Sequence, residues 1–191
     1  MSERVARRRA ETRRRIVETA MRLFTERGYD AVAVADITEA ADVAKGTFFT
    51  HFPSKRDIFR YFGGEAVETM EATVDDEGTA EEQLTAMLLA AVEWHRNNQE
   101  LSRQMYLVRS FNFSTDLGSE NQQRFSRVVV GLLRRGVETG EFRADLDLDA
   151  ATALIQGAYY LSLLGWHSTP SGPSPDDRLR ALLHVLFQGM T

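Results

Sequence analysis

The sequence contains no cysteine. That excludes a disulfide framework and a thiolate metal site, and it suits a reducing compartment such as the cytoplasm. Proline is scarce, with four in 191 residues. Three of them, Pro170, Pro173 and Pro175, crowd into the stretch TPSGPSP, which reads as a loop. No apolar run approaches the roughly 18 residues of a membrane-spanning helix. The arginine-rich start is followed by no apolar segment, so it does not read as a secretion signal. No stretch alternates convincingly between apolar and polar residues, as a half-buried strand would. A Gly-rich phosphate loop, a nucleophile elbow and a His-Glu-x-x-His motif are all missing. The four histidines, His51, His95, His167 and His184, lie far apart without ligand-like spacing. No cofactor or resident metal is expected, and the chain does not read as an enzyme.

What is present is an ordinary globular composition, 43% hydrophobic and 27% charged. The net charge of −5 hides an asymmetry. Residues 1–60 hold 13 Lys and Arg against 9 Asp and Glu, a balance of +4, which leaves −9 for the rest. A basic first third on an acidic body points to a polyanion-binding end. Helical periodicity recurs throughout and predicts an all-α fold of about nine helices. The first helix is expected from about Ala10 to Arg27, where Ile16, Ala20, Leu23 and Phe24 share a face and Gly28 stops it. Helix four is expected to start at Ser54, with Asp57 three residues on, and to bend or weaken at Gly63-Gly64. A capping box at Thr79 and Glu82 opens the fifth.

Residues 43–59, VAKGTFFTHFPSKRDIF, concentrate the most information. Three short helices in the first 52 residues, with a tight turn at Asp42-Val43, form a helix-turn-helix pattern. Phe48 and Phe52 are four apart and should be buried against helix one with Ile37, Ala40 and Val43. The other face of the third helix carries Lys45, Thr47, Phe49, Thr50 and His51. Small and polar hydrogen-bonding residues on a short helix can enter a major groove and reach base edges. Gly46 allows a close backbone approach. Lys55, in the first turn of helix four, opposes the helix dipole unless an anion such as a phosphate lies nearby. The run Arg4, Arg7, Arg8, Arg9 reads either as an arm reaching into a minor groove or as a disordered basic tail.

The stretch GYDAVAVADITEAADVAKGTFFTHFPSKRDIF resembles the DNA-binding region of the TetR (tetracycline-repressor-like) family of bacterial transcriptional regulators. The resemblance covers residues 10–60. It implies a homodimer with a DNA-binding domain over residues 1–60 and an effector-binding and dimerisation domain over 61–191. It places Lys45, Gly46, Thr47, Thr50 and His51 where the family reads bases or nearby backbone, and Lys55 where it contacts phosphate. Phe49 falls on the family's phosphate-contacting tyrosine and lacks its hydroxyl. Asp42 replaces the usual turn glycine, and Ala33 the usual helix-two cap. Thr38 stands for an alanine and could add a DNA contact.

The resemblance also implies that the last two helices form the dimer interface and that the middle helices hold a small-molecule effector. Candidates for that pocket are Trp94, Met105, Tyr106, Arg109, Phe113 and Tyr159, with Arg109 available to an anionic ligand. The reading is a ligand-responsive repressor on a near-palindromic double-stranded DNA operator. Two rivals stand beside it. One is a DNA-binding activator without an effector. The other is a helical small-molecule binder or enzyme whose first domain is only structural.

Overall fold

Helices make up all the regular structure among the described residues, which are 3–110, 119–169 and 171–191 of a computed structural model. In order they are α1 (Glu3–Arg27), α2 (Val34–Ala40), α3 (Lys45–His51), α4 (Asp57–Thr73), α5 (Ala80–Asn97), α6 (Gln99–Ser110), α7 (Glu120–Glu138), α8 (Leu148–Ser168) and α9 (Pro175–Gln188). The all-α expectation holds. None of the described helices is long and apolar enough to cross a membrane.

Local chemistry explains most boundaries. Gly28 ends α1 at φ 82° and Gly140 follows α7 at φ 77°, a backbone region that glycine enters without a Cβ clash. The Thr79 hydroxyl accepts from the Glu82 amide at 3.1 Å, and the Glu82 carboxylate accepts from the Thr79 amide at 2.9 Å. A longer-range cap completes that end of α5. Glu141, 60 residues on, accepts from the Ala80 and Glu81 amides at 2.7 Å each.

Two expectations need correction. α1 begins at Glu3 rather than near Ala10, so the arginine run is helix and not an extended arm. Arginine favours helix, the run lacks Gly and Pro, and Arg7–Glu11 and Arg14–Glu18 pair one turn apart at 3.6 and 2.9 Å. α4 begins at Asp57, not Ser54. Ser54 donates both its amide and its hydroxyl to Asp57 at 2.8 and 2.7 Å, which makes a turn before the helix. α4 also runs unbroken through Gly63 and Gly64.

Two hydrophobic clusters organise the chain. The first joins α1, α2 and α3 around Ile16, Phe24, Ile37, Phe48 and Phe52, and takes in Ile58 and Phe59 of α4. Ala41, not Ala40, is the small residue buried there. The second lies among the end of α4 and helices α5 to α9. α4 packs along α5, α8 along α9, and α7 meets α4, α5 and α8. Met105 of α6 belongs to the first cluster, with Trp94 and Leu101 packed against it.

Candidate functional site

α3 is held by its aromatic residues. Phe48 is fully buried, its ring 5.8 Å from Phe52 and 5.4 Å from Phe49. Asp42 turns the chain between α2 and α3 at φ 50°, a conformation Asp tolerates better than most residues. The outer face of α3 presents Lys45, Gly46, Phe49 and Thr50 to solvent, with Thr47 and His51 half-buried. Phe49 is 46% exposed. A Cβ at Gly46 would meet nothing within 4 Å, so no contact inside the protein requires a glycine there. The Thr50 hydroxyl donates to the Gly46 carbonyl at 2.9 Å and keeps its lone pairs outward as acceptors. His51 binds a proton less readily than usual because it is partly buried and lies near Arg9 and Arg13.

Two residues of the expected set behave differently. Thr38 is buried, and its hydroxyl donates to the Ala35 carbonyl at 3.0 Å. Lys55 turns inward. Its Nζ donates to the carbonyls of Tyr29 and Val32 at 2.6 and 2.7 Å and lies 3.9 Å from the centre of the Tyr29 ring. Burial pushes its pKa down, against the pull of Asp30 and Asp36. Lys55 thus ties the Gly28–Ala33 loop to the segment entering α4. Ala33 has no side-chain cap to offer, and Asp36 accepts from its amide at 2.7 Å instead.

Below this head lies a cavity of about 120 Å3 between α4, α5, α6, α7 and α8. Phe59, Val67, Met70 and Phe125 give it apolar walls. Met105, Tyr106 and Tyr159, expected at such a pocket, do line it. Trp94 does not, because it packs toward the α1–α3 cluster. Phe113 lies outside the described residues, as does the side chain of Arg109.

The sequence reading missed most of the polar wall. Gln122 of α7 and Gln156 of α8 exchange amide hydrogen bonds across it, one of them 2.6 Å long. A glutamine in the most apolar helix was the available signal. The α4 side brings Arg56 and Arg60, whose spacing in the sequence shows no link to α7. Asn121 donates to the Arg60 carbonyl at 2.7 Å, with its own oxygen 3.3 Å from where a Cβ on Gly64 would sit.

Arg60, Ser119 and Asn121 also line a second, larger space, an open cleft of about 670 Å3. The cleft is polar and mixed in charge. Arg13, His51 and Arg124 face Asp57, Glu65 and Glu68 across it. Arg124 is bound to Glu71 at 2.5 Å. Burial and the neighbouring Glu68 make Glu65 harder to ionise. The two spaces adjoin at the start of α7, where Arg60, Ser119 and Asn121 line both.

Hydrolytic chemistry finds little support. Ser102 Oγ lies 2.8 Å from His167 Nε2, but Ser102 is fully buried. Burial, then the nearby Arg103, holds His167 down to about 4, too low for a general base near neutrality. No group of three or more metal-ligating side chains converges among the described residues.

Residues 16–62 match the model described as "Bacterial regulatory proteins, tetR family". Residues 77–190 match "Tetracyclin repressor-like, C-terminal domain". The chain is similar to the HTH-type transcriptional repressor KstR2 of Mycobacterium tuberculosis, 29% identical over 92% of this chain and 91% of the relative. It is similar in structure to the fatty acid degradation regulator FadR from Bacillus halodurans, with a TM-score of 0.76 and 23% identity over 93% of this chain and 95% of that one. It is also similar to FadR of Thermus thermophilus in complex with lauroyl-CoA, with a TM-score of 0.74 and 24% identity over 94% and 95%.

Proposed function

The chain belongs to the tetR family of bacterial regulatory proteins, and from that premise we propose that it is an effector-released repressor acting as a homodimer on a near-palindromic operator. The observation that carries the DNA-reading part is the outer face of α3. Lys45, Gly46, Thr47, Thr50 and His51 offer donors, acceptors and a bare backbone on one short helix, with Phe49 set to lie along the sugar-phosphate. Phe48 and Phe52 fix that helix from behind. Thr38 and Lys55 serve the same surface indirectly, one by seating α2 and the other by anchoring the loop before it to α4. The last two helices are the dimer surface, where Leu154, Leu161 and Val185 are left exposed.

The cavity and the adjoining cleft fit an amphipathic effector with a compact apolar part and a larger polar or anionic part. An acyl thioester of coenzyme A has that shape, and a structural neighbour holds one. A chamber of about 120 Å3 is small for such a ligand. Pockets for drug-sized molecules run to about 300–1,000 Å3. Seating a chain therefore requires α4 and α7 to part, and α4 is tied to the DNA-reading head through Lys55. By linkage, DNA weakens the effector by the same factor as the effector weakens DNA.

Selection from random DNA with the purified protein, at stated salt, tests the first part. The expected result is a near-palindrome with half-sites about one helical turn apart or a little more. Thr50→Ala should lose it. Binding without a motif would sink the reading. Titrating lauroyl-CoA against the operator complex tests the second part, with free coenzyme A as the control. No release by acyl thioesters of any chain length would remove that effector class while leaving the DNA reading intact.

A further inference from the structure

The first turns of α1 carry a surface that the reading helix does not account for. Residues 3–15 hold seven arginines against Glu3 and Glu11. They are helical from Glu3 onward and exposed from residue 4 to residue 11. A helix of that length projects about 20 Å at 1.5 Å per residue.

The arginines sort by face. From Ile16 on, one stripe of α1 is core, through Ala20, Leu23 and Phe24. Followed back by a turn at a time, the same stripe carries Arg13 and then Arg9. Arg13 is fixed in place, its guanidinium 4.3 Å from the centre of the Tyr61 ring and 5.4 Å from that of Phe52. It shares a cleft wall with His51, the last residue of α3. Arg9 lies one turn further out, beyond the end of the protein's own apolar core. Its charge and that of Arg13 are both felt at His51. Arg7 and Arg14, by contrast, pair with Glu11 and Glu18 on the outer side of the helix. Arg4, Arg8 and Arg15 share another side, roughly 100–140° round the helix from Arg9.

We propose that the Arg9 face of α1 is a second DNA contact, lying along the phosphates that flank the groove entered by α3. This rests on the DNA-reading role proposed above. Charge selects the occupant. Neither Arg9 nor Arg13 forms a salt bridge with a carboxylate among the described residues. Arg13 shares its cleft with Asp57, Glu65 and Glu68, but Arg9 lies outside that cleft lining on an exposed face, so its charge is left for a phosphate to neutralise. The surface is also continuous with the end of α3. A rigid helix does not thread a minor groove as an extended arm does, so its contacts are with the backbone. They add affinity and register without reading sequence.

The test compares Arg9→Ala with Arg8→Ala, each against the motif selected by the unaltered protein. Alanine keeps the helix, since its propensity is the highest. Circular dichroism checks that both variants fold alike. For Arg9→Ala, the slope of log affinity against log salt should become shallower by about 2, since a dimer loses one phosphate contact from each protomer. Affinity of the dimer should fall about ten- to hundredfold near physiological salt by the same effect, with the selected motif unchanged. Arg8→Ala should change the slope by less than half as much. An unchanged slope in Arg9→Ala overturns the proposal while the repressor reading stands. Equal losses in both variants overturn it too, because they would mean diffuse attraction rather than a face. A parent protein that selects no motif removes the reading on which the proposal depends.

Discussion

Lys55 carries the sharpest difference between pattern and structure. The residue type and position fit a phosphate contact, yet its ammonium bonds two carbonyls more than 20 residues earlier in the chain. Sequence spacing cannot reveal a bond between segments that far apart. Lys55→Met should leave both carbonyls short of a donor and cost about 1–3 kcal/mol in urea unfolding. If stability is unchanged and the salt slope of DNA binding drops instead, Lys55 contacts phosphate after all. Phe49, Asp42 and Ala33 were legible, because exposure, left-handed turn tolerance and a missing cap are local properties. His167 was not, since its environment is assembled from α6 and α8. Its pKa is lowered to about 4 from 6.5. The unfolded chain takes up a proton near pH 6.5 that the folded protein refuses until about pH 4. Stability should therefore be insensitive to this group above about pH 7 and fall as pH drops from 6.5 toward 4. A His167→Gln variant should show a shallower acid slope in thermal melts. An identical slope would mean other groups set the acid response.

At the scale of elements, helix ends were mostly legible, through Gly28, the Thr79 box and Gly140. The start of α1 was not, because a run dominated by arginine has no apolar stripe to reveal its period. α4 stays helical through Gly63-Gly64. Glycine pairs suggest bending in isolation, and here they also let α6 and α7 approach closely. Met105 and Asn121 come within 3.4 and 3.3 Å of where their Cβ atoms would be. Asn121 then holds the Arg60 carbonyl of α4, next to the cavity. This makes α4 a rod held from the side, so its movement should be a shift rather than a flex. Asn121→Ala should loosen that hold and reduce the coupling between effector and operator by about 0.5–2 kcal/mol, read as a smaller effector-induced drop in operator affinity. Full coupling in the variant would place the transmission elsewhere, with Met105 the next contact to test.

The whole molecule depends on a surface that one chain leaves unfinished. Leu154 and Leu161 stand seven residues apart on α8, with Val185 on α9, and all three are more than half exposed. Gly157, between the two leucines, has open space where a side chain would sit. The proposed dimer would cover them. Leu161→Glu should yield a monomer in sedimentation and abolish tight operator binding, since a half-operator offers only half the contacts. A variant that remains dimeric would move the interface to another face. The apolar character of these two helices was visible in the sequence. Which leucines face outward was not, because α8 is apolar nearly all round and its period carries little direction. The cavity was legible only in part for a similar reason. Single helices suggested Met105, Tyr106 and Tyr159, while Gln122, Gln156 and the α4 arginines gather only once five helices have packed.

The placement of Met105, Trp94 and Leu101 against the α1–α3 core has a practical side. Anyone wishing to retarget this regulator by exchanging its reading head would naturally splice near residue 60, where the match to the DNA-binding domain of the family ends. Such a graft would cut the new head from three side chains that complete its core, although Lys55 and the Gly28–Ala33 loop it holds would be exchanged together. A working chimera would need those three positions recoded with the incoming head.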